Sequence, residues 1–397
     1  MQAGLFRSAV ILGLLSCVGP FAIDMYLPAM PTIAADLNAS VAAVQATVTA
    51  FFVAFGLAQL VYGPWADQSG RKPPLYVGVT IFIVASVGCA FAGDITTLTL
   101  WRFAQGLGAA VVMVIPRAII RDMHTGHAAT RLMALIMLVI SVSPMLAPLA
   151  GSGVIAVADW RAIFWVLCAA AVASLAMTAF LLPETLAPAD RVRVNLRSLM
   201  AGTATLMTDR WFLGLTFIGA FGMASFFVFL TSASFVYTGQ FGLSPTGFSL
   251  AFAVNAIGFF AASQAAAGLG QRFGARSVVR VATLGFAACA IATVLLVAAG
   301  FTSLPVVVAG LFIGNAFLGL VIPTVMVMAL DDHGDIAGLA SSLGGTLQML
   351  TGGVVTILAG PFFDGTALPM LGAIAFCAAA AAVLALLVLA RPAAARA

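Results

Sequence analysis

The chain has 397 residues, of which 63% are hydrophobic and only 8% are charged, and its mean hydropathy is +1.15. In soluble domains about a quarter of the residues are charged, so this composition excludes a soluble globular protein and indicates a polytopic membrane protein. The net charge of +4 comes from arginines between the apolar segments, which argues against a nucleic-acid-binding surface.

Twelve apolar segments are long enough to cross a bilayer, which requires about 20 residues. They cover residues 8–33, 42–65, 75–93, 97–120, 132–157, 162–182, 211–237, 246–270, 278–299, 304–330, 337–360 and 368–390. We therefore predict an all-α membrane protein with twelve transmembrane helices. The first segment is longer than the apolar core of a signal peptide, about 7–15 residues, so we expect it to stay in the protein.

The basic residues are distributed unevenly between the two sides of these segments. If the N-terminus is cytoplasmic, fourteen of the 17 Lys and Arg residues lie on that side. Arg161 then falls in an outer loop, and Arg102 and Arg117 lie within the fourth segment. This pattern follows the positive-inside rule and predicts that both termini are cytoplasmic.

The first segment contains a single charged residue, Asp24. It follows Ser8 by 16 residues, roughly 24 Å along a helix in a hydrocarbon layer of about 30 Å. A carboxylate that faces lipid costs several kcal/mol, so we predict that Asp24 faces protein or water and is the proton site. The alternative is an acid that snorkels from a tilted helix end near Pro28 and Pro31.

The second and third segments are joined by GPWADQSGRKPP, residues 63–74. Tight turns explain its glycines, and its charges can pair with helix ends; the alternative is a polar turn that only obeys the positive-inside rule. We expect charged residues at the inner end of the fourth segment to pair with the charges of this loop. The predicted cytoplasmic gate consists of Gly63, Asp67, Gly70, Arg71, Lys72, Arg117, Arg121 and Asp122.

A partial echo of this loop occurs in the second half of the chain. The stretch AGLGQRFGARS, residues 267–277, aligns Gly274 with Gly70 and Arg276 with Lys72. Gln271 stands where the first copy has Asp67, so the second copy has lost the acid.

The fourth segment contains a second buried charge, Arg102. It lies 19 residues from Arg121, a depth of roughly 28 Å, which is close to the depth of Asp24 estimated from the same side. Matching depths predict an ion pair between Asp24 and Arg102 that breaks and re-forms as the acid takes up a proton. The alternative is that Arg102 snorkels to the outer surface.

The fifth segment contains SVSPMLAPLAGSG, residues 141–153. Pro144 and Pro148 predict a bent helix, and Gly151 and Gly153 predict close helix contact.

Polar and aromatic residues of several segments are candidates for a substrate cavity. The aromatic residues of the seventh segment could face lipid or a substrate, and the buried amides could bond neighbouring helices or a substrate. The predicted cavity consists of Tyr26, Gln105, Met113, Phe226, Asn255 and Asn315. The five cysteines are dispersed among apolar segments, so we predict no disulfide and no metal site, and no nucleophile is paired with a base as an enzyme would require.

Seven stretches together resemble the drug:proton antiporters of the Bcr/CflA subfamily of the major facilitator superfamily. They are DMYLP at 24–28, the loop at 63–72, RxxQGxG at 102–108, PRAIIRD at 116–122, SPMLAP at 143–148, DWRAIF at 159–164 and LPET at 182–185. The likeness spans the first half and continues more weakly through residues 241–258. Some relatives carry a second acid before the position of Asp24, where this chain has Ser16, Cys17 and Gly19.

The resemblance implies the major facilitator fold, with two pseudo-symmetric six-helix bundles. We expect an N-terminal bundle for proton coupling at residues 1–183, a cytoplasmic linker at 184–210 and a C-terminal bundle at 211–397. Arg191, Arg193 and Arg197 predict a membrane-surface helix in the linker.

The resemblance also implies a proton-coupled efflux transporter of the bacterial inner membrane, with Asp24 and Arg102 as its proton-coupling residues. Its substrates would be small amphipathic drugs, similar to chloramphenicol or bicyclomycin, or metabolites. The expected partners are a small-molecule substrate, protons and the lipid bilayer, with no nucleic acid and no cofactor besides the proton gradient, and we expect a monomer. The alternatives are a proton-coupled importer of a small solute and a non-transporting membrane sensor.

Overall fold

The computed structural model describes residues 2–123, 126–191 and 195–390, and this part of the chain contains helices and no strand. The α-helices are α1 Gln2–Asp24, α2 Met30–Asp36, α3 Val41–Ser69, α4 Lys72–Ala90, α5 Ile95–Ala109, α6 Val111–Met123, α7 Gly126–Val157, α8 Arg161–Leu181, α9 Leu196–Thr208, α10 Arg210–Phe235, α11 Pro245–Phe273, α12 Ala275–Ala298, α13 Leu304–Asp331, α14 Ala337–Ala359 and α15 Ala367–Leu389.

Within the described ranges, 12 helical spans are long and apolar enough to cross a membrane, which confirms the predicted number of transmembrane helices. Four of these spans are irregular, and one of them, the eleventh, Ala337–Phe362, ends in a 3₁₀ turn at Gly360–Phe362. The first, Val10–Asp36, contains α1 and α2, and the fourth, Ile95–Met123, contains α5 and α6. The seventh, Arg210–Gln240, ends in a π-helical turn at Val236–Gln240.

The chain divides into two compact units, the first reaching Leu196 and the second starting at Arg197. Within the predicted linker, Arg191 has an extended backbone with φ −72° and ψ 128°, and α9 starts only at Leu196. Arg197 therefore lies on a helix while Arg191 does not. Arg193 lies outside the described residues.

The break in the first span follows from its sequence. Pro28 and Pro31 lack an N–H group, and each disfavours helical geometry in the residue before it. The α1 helix accordingly ends at Asp24, and the prolines fall in the first turn of a 3₁₀ helix, Leu27–Ala29, and of α2. Proline is tolerated at such positions. The one acid of the apolar segment therefore sits where the helix stops.

Each unit contains a closed ring of four spans. In the first unit, α4 packs against α5 and α8, and α1 packs against α8 and against both α5 and α6. In the second unit, α13 packs against α10 and α12, and α15 packs against the same two helices. The rings use corresponding spans: the first, third, fourth and sixth in one unit, and the seventh, ninth, tenth and twelfth in the other.

The loop between the second and third spans is shorter than predicted. Because α3 continues to Ser69, Gly63 and Asp67 are helical, and only Gly70 and Arg71 separate α3 from α4. Gly70 has φ +99°, and Gly274 has φ +82° between α11 and α12. The two glycines that the sequence aligns therefore share the left-handed half of backbone space that favours glycine.

We expect Gly70→Ala to lower the melting temperature of the purified protein. Alanine is strained at positive φ, by about 1–2 kcal/mol, and its Cβ would lie 2.8 Å from Oε2 of Glu184. Gly274→Ala should cause a smaller loss, because it adds the strain with no atom within 4 Å. Gly63→Ala, which is helical and also has open space, should be neutral or stabilising by about 1 kcal/mol. Equal melting temperatures for the three variants would contradict this interpretation.

Candidate functional site

Arg102 is fully buried in the first unit, where it reaches from α5 to α1. Its Nη1 donates hydrogen bonds to the carbonyl oxygen of Ala22 at 3.0 Å and to Oε1 of Gln105 at 2.5 Å. The guanidinium carbon lies 4.6 Å from the ring centroid of Tyr26 and 4.6 Å from that of Phe51. The cation is thus held by two oxygen acceptors and two aromatic rings, without a carboxylate.

The contact with Ala22 depends on the break in the first span. The last four carbonyl groups of a helix have no partner within it, and the negative end of the helix dipole lies there. Because α1 ends at Asp24, the carbonyl of Ala22 is one of these groups. Arg102 therefore caps the C-terminal end of α1.

Asp24 lies two residues after Ala22, whose carbonyl Arg102 binds, but its side chain forms no ion pair with Arg102. Asp24 is only 5% exposed, and within the described residues it has no hydrogen-bond or ion-pair partner. The structure thus does not form the predicted ion pair with Arg102. Nη1 of Arg102 instead binds the backbone carbonyl of Ala22 and Oε1 of Gln105.

Tyr26 and Gln105, which we predicted as cavity residues, both lie in the core of the first unit with no exposure. Nε2 of Gln105 donates to Oγ of Ser86 on α4 at 2.8 Å. The hydroxyl of Thr47 on α3 donates a hydrogen bond to the carbonyl oxygen of Val44 at 2.7 Å, so the hydroxyl of Tyr26 is the donor to Oγ1 of Thr47 at 2.8 Å. Both side chains therefore hold Arg102 in place.

The other predicted cavity residues lie in different surroundings. Met113 is half-buried on α6. Phe226 is half-buried and stacks on Phe259 with ring centroids 6.1 Å apart. Asn255 and Asn315 are 1% and 7% exposed. Phe226, Asn255 and Asn315 belong to the second unit, whereas the Arg102 cluster belongs to the first.

The predicted proline and glycine motif of the fifth segment, Pro144, Pro148 and Gly151, lies next to the break. All three residues are inside α7, which packs against α1. A Cβ at Gly151 would overlap the carbonyl oxygen of Met25, the residue after Asp24. Glycine is thus required for α7 to approach the chain at this point.

A second charged cluster lies where α3 meets α4. Nε and Nη2 of Arg71 donate to the two carboxylate oxygens of Asp122 at 2.7 and 3.1 Å, and Nη1 donates to Asp67 at 2.5 Å. The structure brings together these three predicted gate residues. It does not bring in Arg117 or Arg121, which have no charged partner among the described residues.

Glu184 is a residue of this cluster that the sequence analysis did not assign a role. Its carboxylate accepts hydrogen bonds from the backbone N–H groups of Arg71 at 2.8 Å, Lys72 at 3.0 Å, Thr185 at 3.0 Å and Leu186 at 3.1 Å. Partial burial opposes its ionisation, but these donors outweigh burial and lower the pKa of Glu184. It is the single glutamate of the chain, the one signal that could have drawn attention to it.

The family model described as Major Facilitator Superfamily matches residues 12–356. The chain therefore belongs to the major facilitator superfamily of membrane transporters, and its relatives and fold are those of transporters rather than of enzymes. This agrees with the resemblance found in the sequence motifs.

Two curated relatives match nearly the whole chain. The uncharacterized MFS-type transporter YdgK of Bacillus subtilis is 35% identical over 370 residues, 93% of this chain and 91% of the relative. The bicyclomycin resistance protein homolog of Haemophilus influenzae is 30% identical over 379 residues, 95% and 94% of the two chains. Among solved structures, a D-xylose-proton symporter matches with a TM-score of 0.75 at 15% identity, covering 96% of this chain and 97% of that one. At that identity the match shows the fold alone.

We expect Gly151→Ala to lower the melting temperature clearly, because overpacking against backbone costs about 1–3 kcal/mol. Gly153→Ala on the same helix is the matched control, since no atom lies within 4 Å of its added Cβ. Thermal unfolding of both purified variants measures the difference. A Gly153→Ala loss as large as that of Gly151→Ala would show that the contact with Met25 is unimportant.

We expect Glu184→Gln to destabilise the protein at neutral pH. A carboxylate whose folded-state pKa is lowered stabilises the fold above its ordinary pKa, about 4.3, and this contribution is lost as the pH falls through the lowered value. The melting-temperature difference from the native protein should therefore be large at pH 7 and shrink below about pH 4.3. The exposed Asp190→Asn serves as control, and a pH-independent difference for Glu184→Gln would rule out the charge as the cause.

Proposed function

We propose that this chain is a proton-coupled exporter of small amphipathic compounds in the bacterial inner membrane, with both termini in the cytoplasm. Candidate substrates are drugs similar to chloramphenicol or bicyclomycin, or natural metabolites. The observation that carries the proposal is a buried, unpartnered carboxylate, Asp24, at the break of the first membrane span. Interrupted spans are typical of ion and substrate sites in secondary transporters.

The chemistry of Asp24 supports proton coupling. An ionised carboxylate in apolar surroundings needs a cation, hydrogen bonds or water, whereas protonation removes the charge and with it this need. Asp24 has no such partner among the described residues. Its two protonation states thus favour different surroundings, which is what a transporter needs to link proton binding to a change of conformation.

Arg102 supplies the second element of the proposed cycle. Its Nε and Nη2 have no hydrogen-bond partner within the described part of the chain, so two donors remain free while Nη1 holds Ala22. We assign these donors to the ionised form of Asp24. When Asp24 loses its proton, a rearrangement at the break brings the carboxylate to them, and reprotonation releases it. Substrate binding on the cytoplasmic side favours proton release there, and alternating access exports the substrate.

The distribution of charge assigns the proton step to the first unit. In the spans of the second unit, the charged residues within the described ranges lie near helix ends, namely Arg210, Arg272, Arg276, Arg280 and Asp331. One membrane-embedded carboxyl group limits this chemistry to one proton per cycle. The name of the Haemophilus influenzae relative supports a drug as cargo.

We expect Asp24→Asn to abolish proton-driven export while the protein still inserts and folds. Inside-out vesicles that contain native protein should release protons from their lumen when chloramphenicol is added under an imposed pH gradient, because each exported molecule is exchanged for a proton. The same vesicles with Asp24→Asn should release none, and Asp190→Asn should behave like the native protein.

Three outcomes would count against the proposal. Proton release from vesicles that contain Asp24→Asn would show that Asp24 is not the proton site. Movement of substrate across the membrane in the same direction as the protons would identify an importer. Binding of substrate without any flux in native vesicles, across a panel that includes bicyclomycin, would identify a sensor.

A further inference from the structure

Each unit contains a close contact between two helices at a glycine. Gly106 of α5 lies against the carbonyl oxygen of Phe51 in α3, and Gly319 of α13 lies against the carbonyl oxygen of Phe259 in α11. A Cβ at either glycine would overlap that oxygen. The contact joins the second and fourth spans in one unit and the eighth and tenth in the other, so the two glycines are equivalent positions.

This equivalence relates Arg102 to Asn315. Each of them precedes its contact glycine by four residues, about one helical turn, and thus lies on the same helix face. Each is buried within the four-span ring of its unit. Asn315 therefore occupies in the second unit the place that Arg102 occupies in the first.

The shorter side chain of Asn315 leaves space in the second ring. A small cavity is lined by residues of all four helices of this ring, including Ser225 of α10, Thr293 of α12, Asn315 of α13 and Leu371 of α15. It has room for about one water-sized group. In the first unit the equivalent residue, Arg102, has a longer side chain whose guanidinium contacts Ala22, Tyr26 and Phe51.

The wall of this cavity has unused hydrogen-bonding groups of both kinds. Nδ2 of Asn315 is buried and has no partner among the described residues. The hydroxyls of Ser225 and Thr293 donate to backbone carbonyls of their own helices at 2.6 and 2.8 Å, which leaves lone pairs on both oxygens as acceptors. None of the residues that line the cavity is charged.

These groups define the chemistry of the occupant. An ion is disfavoured because no opposite charge lines the cavity, and a hydrocarbon would leave the amide unsatisfied. A carbonyl group would accept from Asn315 but could donate nothing to Ser225 or Thr293. A hydroxyl group can accept a hydrogen bond from Asn315 and also donate one to Ser225 or Thr293. If the amide of Asn315 is turned so that its oxygen faces the cavity, the hydroxyl group can donate to that oxygen instead.

We propose that the ring of α10, α12, α13 and α15 contains a binding site for one exchangeable water molecule. The ligand accepts a hydrogen bond from Asn315 and donates one to Ser225 or Thr293, with Phe229 and Phe286 as apolar walls. It joins α13 to α10 or α12 in the second unit, as Arg102 joins spans of the first, but it can exchange. The site does not depend on the proposed transport activity.

The four asparagines of the chain, Asn38, Asn195, Asn255 and Asn315, make a direct test possible. Protein labelled with ¹⁵N on asparagine side chains is placed in lipid bilayers and studied by solid-state NMR with polarisation transfer from water. Asn315→Leu and Asn255→Leu assign the two buried signals by loss of one signal each. Asn255 is the matched control, because its Nδ2 already donates to the carbonyl of Ala251 at 3.0 Å and it does not line the cavity.

We expect rapid polarisation transfer from water to the Asn315 amide and several-fold slower transfer to that of Asn255. Trifluoroethanol is the size control. It is larger than the water-sized space, so its fluorine should leave the Asn315 signal unchanged, and fluorine dephasing of that signal would contradict a site for water. Ser225→Ala together with Thr293→Val, which keep the shape of the cavity and remove its acceptors, should lower the water transfer to Asn315. An Asn315 amide that receives no water polarisation would overturn the proposal.

Discussion

The organisation of the first unit depends on a cation that is buried without a carboxylate. Arg102 is stabilised by the end of a broken helix, an amide and two aromatic rings. Such cation–π contacts contribute about 0.5–2 kcal/mol each, and the carbonyl of Ala22 adds the negative end of the α1 dipole. The break in α1 and the charge in α5 are therefore interdependent, because each supplies the hydrogen-bonding partner that the other lacks.

This arrangement explains how Asp24 and Arg102 can lie near the same helix end without forming an ion pair. Nη1 of Arg102 is bound by neutral oxygens, and its Nε and Nη2 have no hydrogen-bond partner among the described residues, so Asp24 is not its permanent counter-ion. An acid outside a tight buried ion pair can change its protonation state at lower cost than one inside such a pair, because separating the pair is strongly unfavourable. Gly151 keeps α7 close to the same break, so three spans meet where the charge would change.

The two units resemble each other in backbone but differ in chemistry. Both have the four-span ring, the contact glycine and a glycine at positive φ between their second and third spans. The first ring contains a permanent cation, whereas the second has an uncharged amide beside a small cavity. At the loop, Gly70 is packed against Glu184, while Gly274 has open space. The backbone repeat is thus preserved where helix packing requires it, and the polar contacts have diverged.

The sequence alone determined the class of protein, the twelve spans, the special backbone at Gly70 and the presence of charge inside the first and fourth spans. These are set by local composition, because apolar length and glycine geometry act over a few residues. Only the tertiary structure decided which groups meet Arg102, since helix depth gives the level of a side chain but not its direction around the axis. The tertiary structure also showed that Glu184 caps α4, because a hydrogen bond between residues more than 100 positions apart leaves no local signal in the sequence. It showed that Asn315 borders a cavity, because that cavity forms only where four separate spans pack together.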